Sequence, residues 1–389
     1  MFLCQWFGHL YHALFCPSIP FSYRWRLVAL QPLTSLAYFL KWIPCAFSRD
    51  KSVIWIPLRR DPGHFVRAVV FNPKCLRQKN LPGRPLHLDI HGGGFLGGLP
   101  EYDAPFCMEV ARRTGAVVVS TSYRFAPRYT FPTAHEDTQD VASYLVENCE
   151  QLWGADPKLM TISGFSAGGN LALGVAQGLA GTSHHIKGSV TFYNPVDLRI
   201  PPWLKPKPPG LPAKDPFAFV MPLFDAYPGL HPPRQLHNPL LNPILADILS
   251  LPPNMLFIIP TLDILLHEQT VFVERLKEEA EALNAQSNAG EVEDSKCTVY
   301  SGAIASGVPE QQNADADSQL NHRTMLNDTV KVPPRYRVES ILFENQVHGW
   351  LELPSMAIDE QTRISAYDAA VQFIKDVHRD GGWHFNAPA

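Results

Sequence analysis

A serine in the run Ser163-Gly164-Phe165-Ser166-Ala167-Gly168-Gly169-Asn170 stands where a nucleophile would be placed. Lys158 to Ser163 reads as a strand, and the small and apolar residues from Leu171 to Ala176 begin a helix. A residue at the apex of such an abrupt strand-to-helix turn is held in a strained backbone conformation, and side chains two positions away on either side would clash. Gly164 and Gly168 meet that requirement. The helix that follows also aims backbone N–H groups at any negative charge formed beside Ser166. G-x-S-x-G alone is short enough to arise by chance in a chain with 25 Gly, so other residues must decide.

Three further groups supply the rest of an acyl-transfer site. His91-Gly92-Gly93-Gly94-Phe95 follows the strand-like run Pro85 to Ile90, and a glycine loop there can turn N–H groups toward a reacting carbonyl oxygen. Fixed donors of this kind lower the barrier to a tetrahedral oxyanion by roughly 2.7–4 kcal/mol each. Its plainer use is a turn between strand and helix. Asp263 follows the apolar strand Asn254 to Ile259 and can accept from an imidazole Nδ1–H, although it also suits an N-cap for a helix over His267 to Leu283. Glu268 is the nearest alternative carboxylate. His348, in Asn345-Gln-Val-His348-Gly349-Trp350, follows the strand-like run Tyr336 to Phe343 and could reach over the sheet to Ser166 as general base. A lone loop histidine is more often a solvated side chain. What selects this one among 15 His is the chain order Ser166, Asp263, His348.

Together these motifs resemble the hormone-sensitive-lipase group of α/β-hydrolases in His91-Gly-Gly-Gly, Gly164-x-Ser-Ala-Gly-Gly169, Asp263-x-Leu265 and His348-Gly349. Ser122-Tyr-Arg-Phe-Ala-Pro127, with Phe131-Pro132 and Glu136-Asp137 after it, resembles the stretch that group carries beyond its glycine loop, and the similarity spans residues 50 to 380. The resemblance implies Ser166 as nucleophile, Asp263 and His348 as its partners, and the N–H groups of Gly93, Gly94 and Ala167 as an oxyanion hole. Phe165 stands where the group usually has Asp, which leaves the triad whole but bears on local polarity and substrate preference. The implied chemistry is hydrolysis of a small-molecule ester of short or medium acyl length, without metal or cofactor. A lactone, formamide or amide remains open on the same triad. Phe95, Phe165 and Trp350 are the expected pocket-lining side chains. A ligand receptor on this scaffold would be expected to lack the histidine, and a lipase acting at a lipid surface has only the apolar N-terminus in its favour.

The elements that must position these residues alternate along the chain. Val53 to Pro57 and Phe65 to Phe71 flank the turn Asp61-Pro-Gly-His64 and predict an antiparallel hairpin at a sheet edge. Strands are then expected at 86–90, 117–120, 159–163, 188–193, 255–259 and 336–343, with helices between them. That alternation predicts an α/β fold, a mainly parallel central sheet with helices on both faces, and the resemblance adds the α/β-hydrolase fold with a cap. The 389 residues suffice for one catalytic domain over 51–380.

Composition narrows the partners. The formal net charge is −4 and no Lys/Arg run stands out, so nucleic acid is not an expected partner. Seven scattered Cys without C-x-x-C spacing argue against a disulfide framework and against zinc, and reduced thiols in an intracellular, cytoplasmic protein are expected. Met1 to Cys16 carries no charged residue, but Gln5, His9 and His12 interrupt it, and Pro17, Pro20, Arg24 and Arg26 end it short of the roughly 20 residues of a spanning helix. In the resembled group N-terminal helices form part of a cap, which implies that residues 1–50 are an N-terminal cap segment, with peripheral membrane contact through 1–45 as its further use. Residues 195–253 are loaded with Pro and aromatics, among them Trp203, Phe217, Phe219, Phe224 and Tyr227, and read as a second part of the cap over the pocket. Residues 284–334 are rich in Ser, Asn, Asp, Gln, Ala and Gly and read as a disordered insertion; the sequon at Asn327 has no secretory signal to support it.

Overall fold

Runs of β-branched and aromatic residues build one sheet of eight strands: β1 Lys51–Pro57, β2 Phe65–Phe71, β3 Arg84–Ile90, β4 Val117–Thr121, β5 Ala155–Phe165, β6 Gly188–Phe192, β7 Asn254–Leu262 and β8 Arg337–Val347. Their order across the sheet is β1-β2-β4-β3-β5-β6-β7-β8. The β1/β2 hairpin and the β2/β4 pair are antiparallel, and every later pair is parallel. The computed structural model describes residues 7–17, 19–46, 50–72, 83–211, 221–229, 235–297, 335–353 and 358–386.

Helices cover both faces. These are α1 Gly8–Phe15, α2 Phe21–Ala46, α3 Ala104–Thr114, α4 Thr133–Trp153, α5 Ala167–Leu179, α6 Leu266–Cys297 and α7 Glu360–Asp380. Strands β3, β4 and β6 are buried at every residue, as parallel strands covered on both sides must be. On one face Leu88, Ile90, Val119 and Ile162 pack with Leu145 of α4 and Leu171 of α5. On the other, Val118, Phe165, Val190 and Phe192 pack with Phe106 of α3 and Phe373 of α7. The strands expected from the sequence are all present.

Two expectations are corrected. The helix after Asp263 continues through Asn284 to Cys297 instead of giving way to a disordered insertion at 284. Ala285, Gln286 and Ala289 suit a helix, and the Asn284 side chain brackets Tyr336, donating to its carbonyl at 2.8 Å and accepting from its N–H at 2.9 Å. That clip ties α6 to the start of β8. Residues 298–334, with Asn327, lie outside the described residues. Within 195–253, Tyr227 is buried but Trp203 is half exposed, because it sits in a short turn at Pro202–Leu204 that packs little apolar surface over it. Phe217 and Phe219 lie outside the described residues.

Polar groups inside the sheet are tied together. His378 of α7 meets Thr161 at 3.0 Å, Thr161 meets His87 at 2.8 Å, and His87 meets Ser163 at 2.8 Å. Ser163 donates to Asp89 at 2.7 Å, and Ser120 donates to the other Asp89 oxygen at 2.8 Å. All six side chains are buried, in keeping with the cost of leaving interior polar groups unpaired. On the neighbouring strand β2, Arg67 forms a buried two-point ion pair with Glu101, anchoring the segment that follows the glycine loop.

Candidate active site

The parallel strands end at one rim, and the chemistry gathers there. Ser166 is the apex between β5 and α5, with φ +49° and ψ −121°, the left-handed side of the map that a non-glycine residue adopts only under constraint. The constraint is the close approach of α5 to the end of β3. A methyl group built on Gly168 would overlap the Ile90 carbonyl oxygen and sit 2.6 Å from that of His91. Glycine is what lets the helix start this near the sheet.

Two loops from distant parts of the chain complete the cluster. Asp263 follows β7 at its carboxyl end and is buried. One of its oxygens accepts the Leu265 N–H at 3.0 Å, capping the turn into α6, so the capping use of this residue holds. Its other oxygen contacts His348 Nδ1 at 2.8 Å. His348 follows β8, and its Nε2 lies 2.8 Å from Ser166 Oγ. The Tyr193 ring meets the imidazole edge-on at 5.1 Å. Glu268, the alternative carboxylate, does not join them: it is buried in an ion pair with Lys205 and accepts the N–H groups of Val196 at 2.9 Å and Asp197 at 3.2 Å.

The glycine loop lies directly against the serine. A methyl group on Gly92 would come 3.5 Å from Ser166 Cβ and 3.1 Å from the Phe165 carbonyl oxygen. Gly93 has φ +118°, a conformation that turns its peptide out of the strand direction and is strained for any side-chain-bearing residue. Ala167 opens α5, and the first N–H groups of a helix have no partner within it. The N–H groups of Gly93, Gly94 and Ala167 thus belong to segments that meet at Ser166. The Phe224 ring covers Gly94, its nearest carbon 2.5 Å from where a methyl group would stand.

The three side chains expected to line the pocket turn into the interior instead. Phe165 is fully buried and stacks on Phe192 with ring centres 4.1 Å apart. It shares strand parity with Ser163 and so faces α3 and α7, away from the α5 side, a period-2 signal that was available in the sequence. Phe95 is buried and stacks on Tyr227 at 4.1 Å, which fastens the 195–253 segment to the glycine loop. Trp350 is buried against Phe343 at 5.3 Å.

One neighbour escaped sequence reasoning. Glu352, four residues after His348, has a buried Oε1 without a hydrogen-bond partner among the described residues, 2.8 Å from the position a Gly92 methyl would occupy. Burial raises its pKa above the ordinary carboxylate value, with Lys41 and His348 opposing. Only its nearness to His348 in the chain could have pointed to it. His348 keeps 40% of its side chain exposed, but the protein packed around the ring still disfavours the imidazolium; the Asp263 charge and hydrogen bond, with smaller help from Glu352 and Glu268, outweigh this and leave the pKa above 6.5.

A mainly parallel sheet with helices on both faces and a serine at a strand-to-helix apex defines an α/β-hydrolase. The chain belongs to the hormone-sensitive-lipase-like family of that fold, whose model, described as alpha/beta hydrolase fold, matches residues 87–293. The chain is 34% identical to an arylacetamide deacetylase of Oryctolagus cuniculus over 174 residues, 41% of this chain and 44% of the relative. It is 39% identical to an ethyl acetate hydrolase of Pseudomonas putida over 93 residues, 24% of this chain and 29% of that one. The chain thus spans under half the length of these curated relatives. Among solved structures, an esterase of Pyrobaculum calidifontis superposes with a TM-score of 0.62 at 23% identity, covering 89% of this chain and 92% of that one, which is likeness of fold.

Proposed function

We propose that the chain is a serine carboxylesterase that acts through an acyl-enzyme. The observation that carries this reading is the continuous run from Ser166 Oγ through His348 to Asp263, with both contacts at 2.8 Å. In this mechanism Ser166 Oγ attacks the ester carbonyl while His348 Nε2 takes its proton. Asp263 orients the imidazole and stabilises the cation, and the N–H groups of Gly93, Gly94 and Ala167 hold the oxyanion. His348 then returns the proton to the departing alkoxide. Water, deprotonated by His348, attacks the acyl-enzyme, and the acid leaves as His348 returns that proton to Ser166 Oγ. The similarity to an arylacetamide deacetylase and an ethyl acetate hydrolase supports the reaction class. The deacetylase name also favours a second reading, amide hydrolysis on the same residues.

The acyl group we propose is short. Phe165 contributes nothing to this, since it lies in the core, but Phe224 over Gly94 and Tyr227 against Phe95 fill the space above the oxyanion loop. Among nitrophenyl acetate, butyrate, octanoate and palmitate, kcat/KM should peak at acetate or butyrate, and Phe224→Ala should move the peak to a longer chain. A wild-type maximum at octanoate or beyond contradicts the short-chain reading. A matching nitroanilide series tests the amide alternative.

The charge on His348 sets the pH dependence. Neutral imidazole is the working base, so kcat/KM falls as pH drops through the pKa of the free enzyme. Because that pKa is raised, the acid limb should have its midpoint above 6.5, the ordinary histidine value. A limb centred below 6.5 would mean that burial, not Asp263, dominates at His348.

A further inference from the structure

Helix α2 is apolar on two faces, and the protein covers one of them. Tyr23, Leu27 and Tyr38 turn inward and are buried. Phe21, Trp25, Val28, Leu33, Leu36 and Phe39 follow one another at intervals of three to five residues and expose 41–78% of their surface. A surface helix of a soluble protein ordinarily carries polar residues on this side. Here the outward stripe runs along a helix of 26 residues, about 39 Å at the α-helical rise.

Charge identifies what covers it. Residues 1–49 contain no Asp or Glu and four cations; Arg24 turns to the Ala13 carbonyl and Lys41 acts on the buried Glu352, which leaves Arg26 beside the outward stripe and Arg49 beyond the end of the helix in sequence. The Arg26 guanidinium lies 4.5 Å over the Trp25 ring, a cation beside an indole, the combination that suits the boundary between acyl chains and headgroups. A second copy of the chain would bring the same cations against each other. An anionic surface is complementary to them. No helix among the described residues is long and apolar enough to cross a membrane, which leaves α2 to lie along the surface.

We propose that the outward face of α2 docks flat on an anionic phospholipid surface. Tyr38 Oη accepts the Gly98 N–H at 2.9 Å, so the docked helix also holds the glycine loop at a fixed relation to the lipid. The full chain should co-sediment with vesicles of phosphatidylcholine and phosphatidylserine, and more weakly with phosphatidylcholine alone. Leu33→Glu/Leu36→Glu should reduce partitioning by at least about a hundredfold, with an unchanged circular dichroism spectrum and unchanged hydrolysis of nitrophenyl acetate in vesicle-free buffer. Three results each overturn the proposal: wild-type protein that stays in the supernatant, equal sedimentation of the double variant, or a wild-type dimer in analytical ultracentrifugation that the double variant dissolves. Equal binding to both vesicle types overturns the anionic assignment.

Discussion

Ester hydrolysis is expected to fall by about a millionfold when Ser166 is replaced by Ala. Without Oγ no acyl-enzyme forms, and what remains is whatever the oxyanion donors and substrate binding achieve with water. His348→Ala should cost nearly as much, and the double variant hardly more than either single one, because residues acting as one unit are not additive. The fold should tolerate both changes, since His348 is 40% exposed and Ser166 Oγ makes its contact at the rim. Purified variants with native circular dichroism, assayed on nitrophenyl butyrate, provide the check. Near wild-type turnover in Ser166→Ala would remove the acyl-enzyme mechanism altogether. Intact wild-type protein without activity on any ester, lactone or anilide would turn the reading toward a binding protein.

Gly168→Ala should be the most damaging single methyl group in the chain. Alanine is the better helix former by about 1 kcal/mol, so propensity alone predicts a small gain. The added carbon, however, meets backbone on β3, the Ile90 and His91 carbonyls, and backbone cannot rotate away as a side chain can. α5 must back off from the sheet, which undoes the Ser166 turn and the packing of Leu171 against Ile90 and Ile162. A loss of more than about 4 kcal/mol is expected, read as a lower denaturation midpoint at unchanged slope or as insoluble protein. A variant with wild-type midpoint and activity would show that the β3–α5 contact is loose.

Much of this site is legible in the sequence because its requirements are local. A strand-to-helix apex needs glycines on both sides of Ser166, and the ends of β7 and β8 are recognisable from the apolar runs before Asp263 and His348. The eight strands are legible for the same reason: each is a short apolar run bounded by turn residues. What is not legible depends on packing. Phe95 is drawn from the pocket by Tyr227, more than a hundred residues away. α6 outlasts its apolar period because Asn284 finds Tyr336 across the intervening chain. Glu352 carries no motif, and its closeness to Gly92 arises only when the turn after β8 folds back over the glycine loop. Phe165 is a different kind of miss, since strand parity with Ser163 already assigns its face.

The buried ladder from His378 to Ser120 fixes where each of its hydrogens points. Burial pushes Asp89 up to about 6, so near neutrality it is a carboxylate and accepts from both Ser163 and Ser120. Ser163 has then spent its hydrogen, and its contact with His87 Nε2 requires that nitrogen to carry one. His87, its pKa lowered to about 3 by burial, is neutral; its Nδ1 therefore accepts from Thr161, which in turn accepts from His378 Nε2. From His378 to Ser163 every O–H and N–H is oriented one way, toward the Asp89 carboxylate near the end of β3, which Ser120 meets from the other side. The sheet thereby contains a one-directional electric dipole, set by chemistry rather than by a helix, that ends two residues before His91 and the glycine loop, and protonation of Asp89 would remove the anion that orders it.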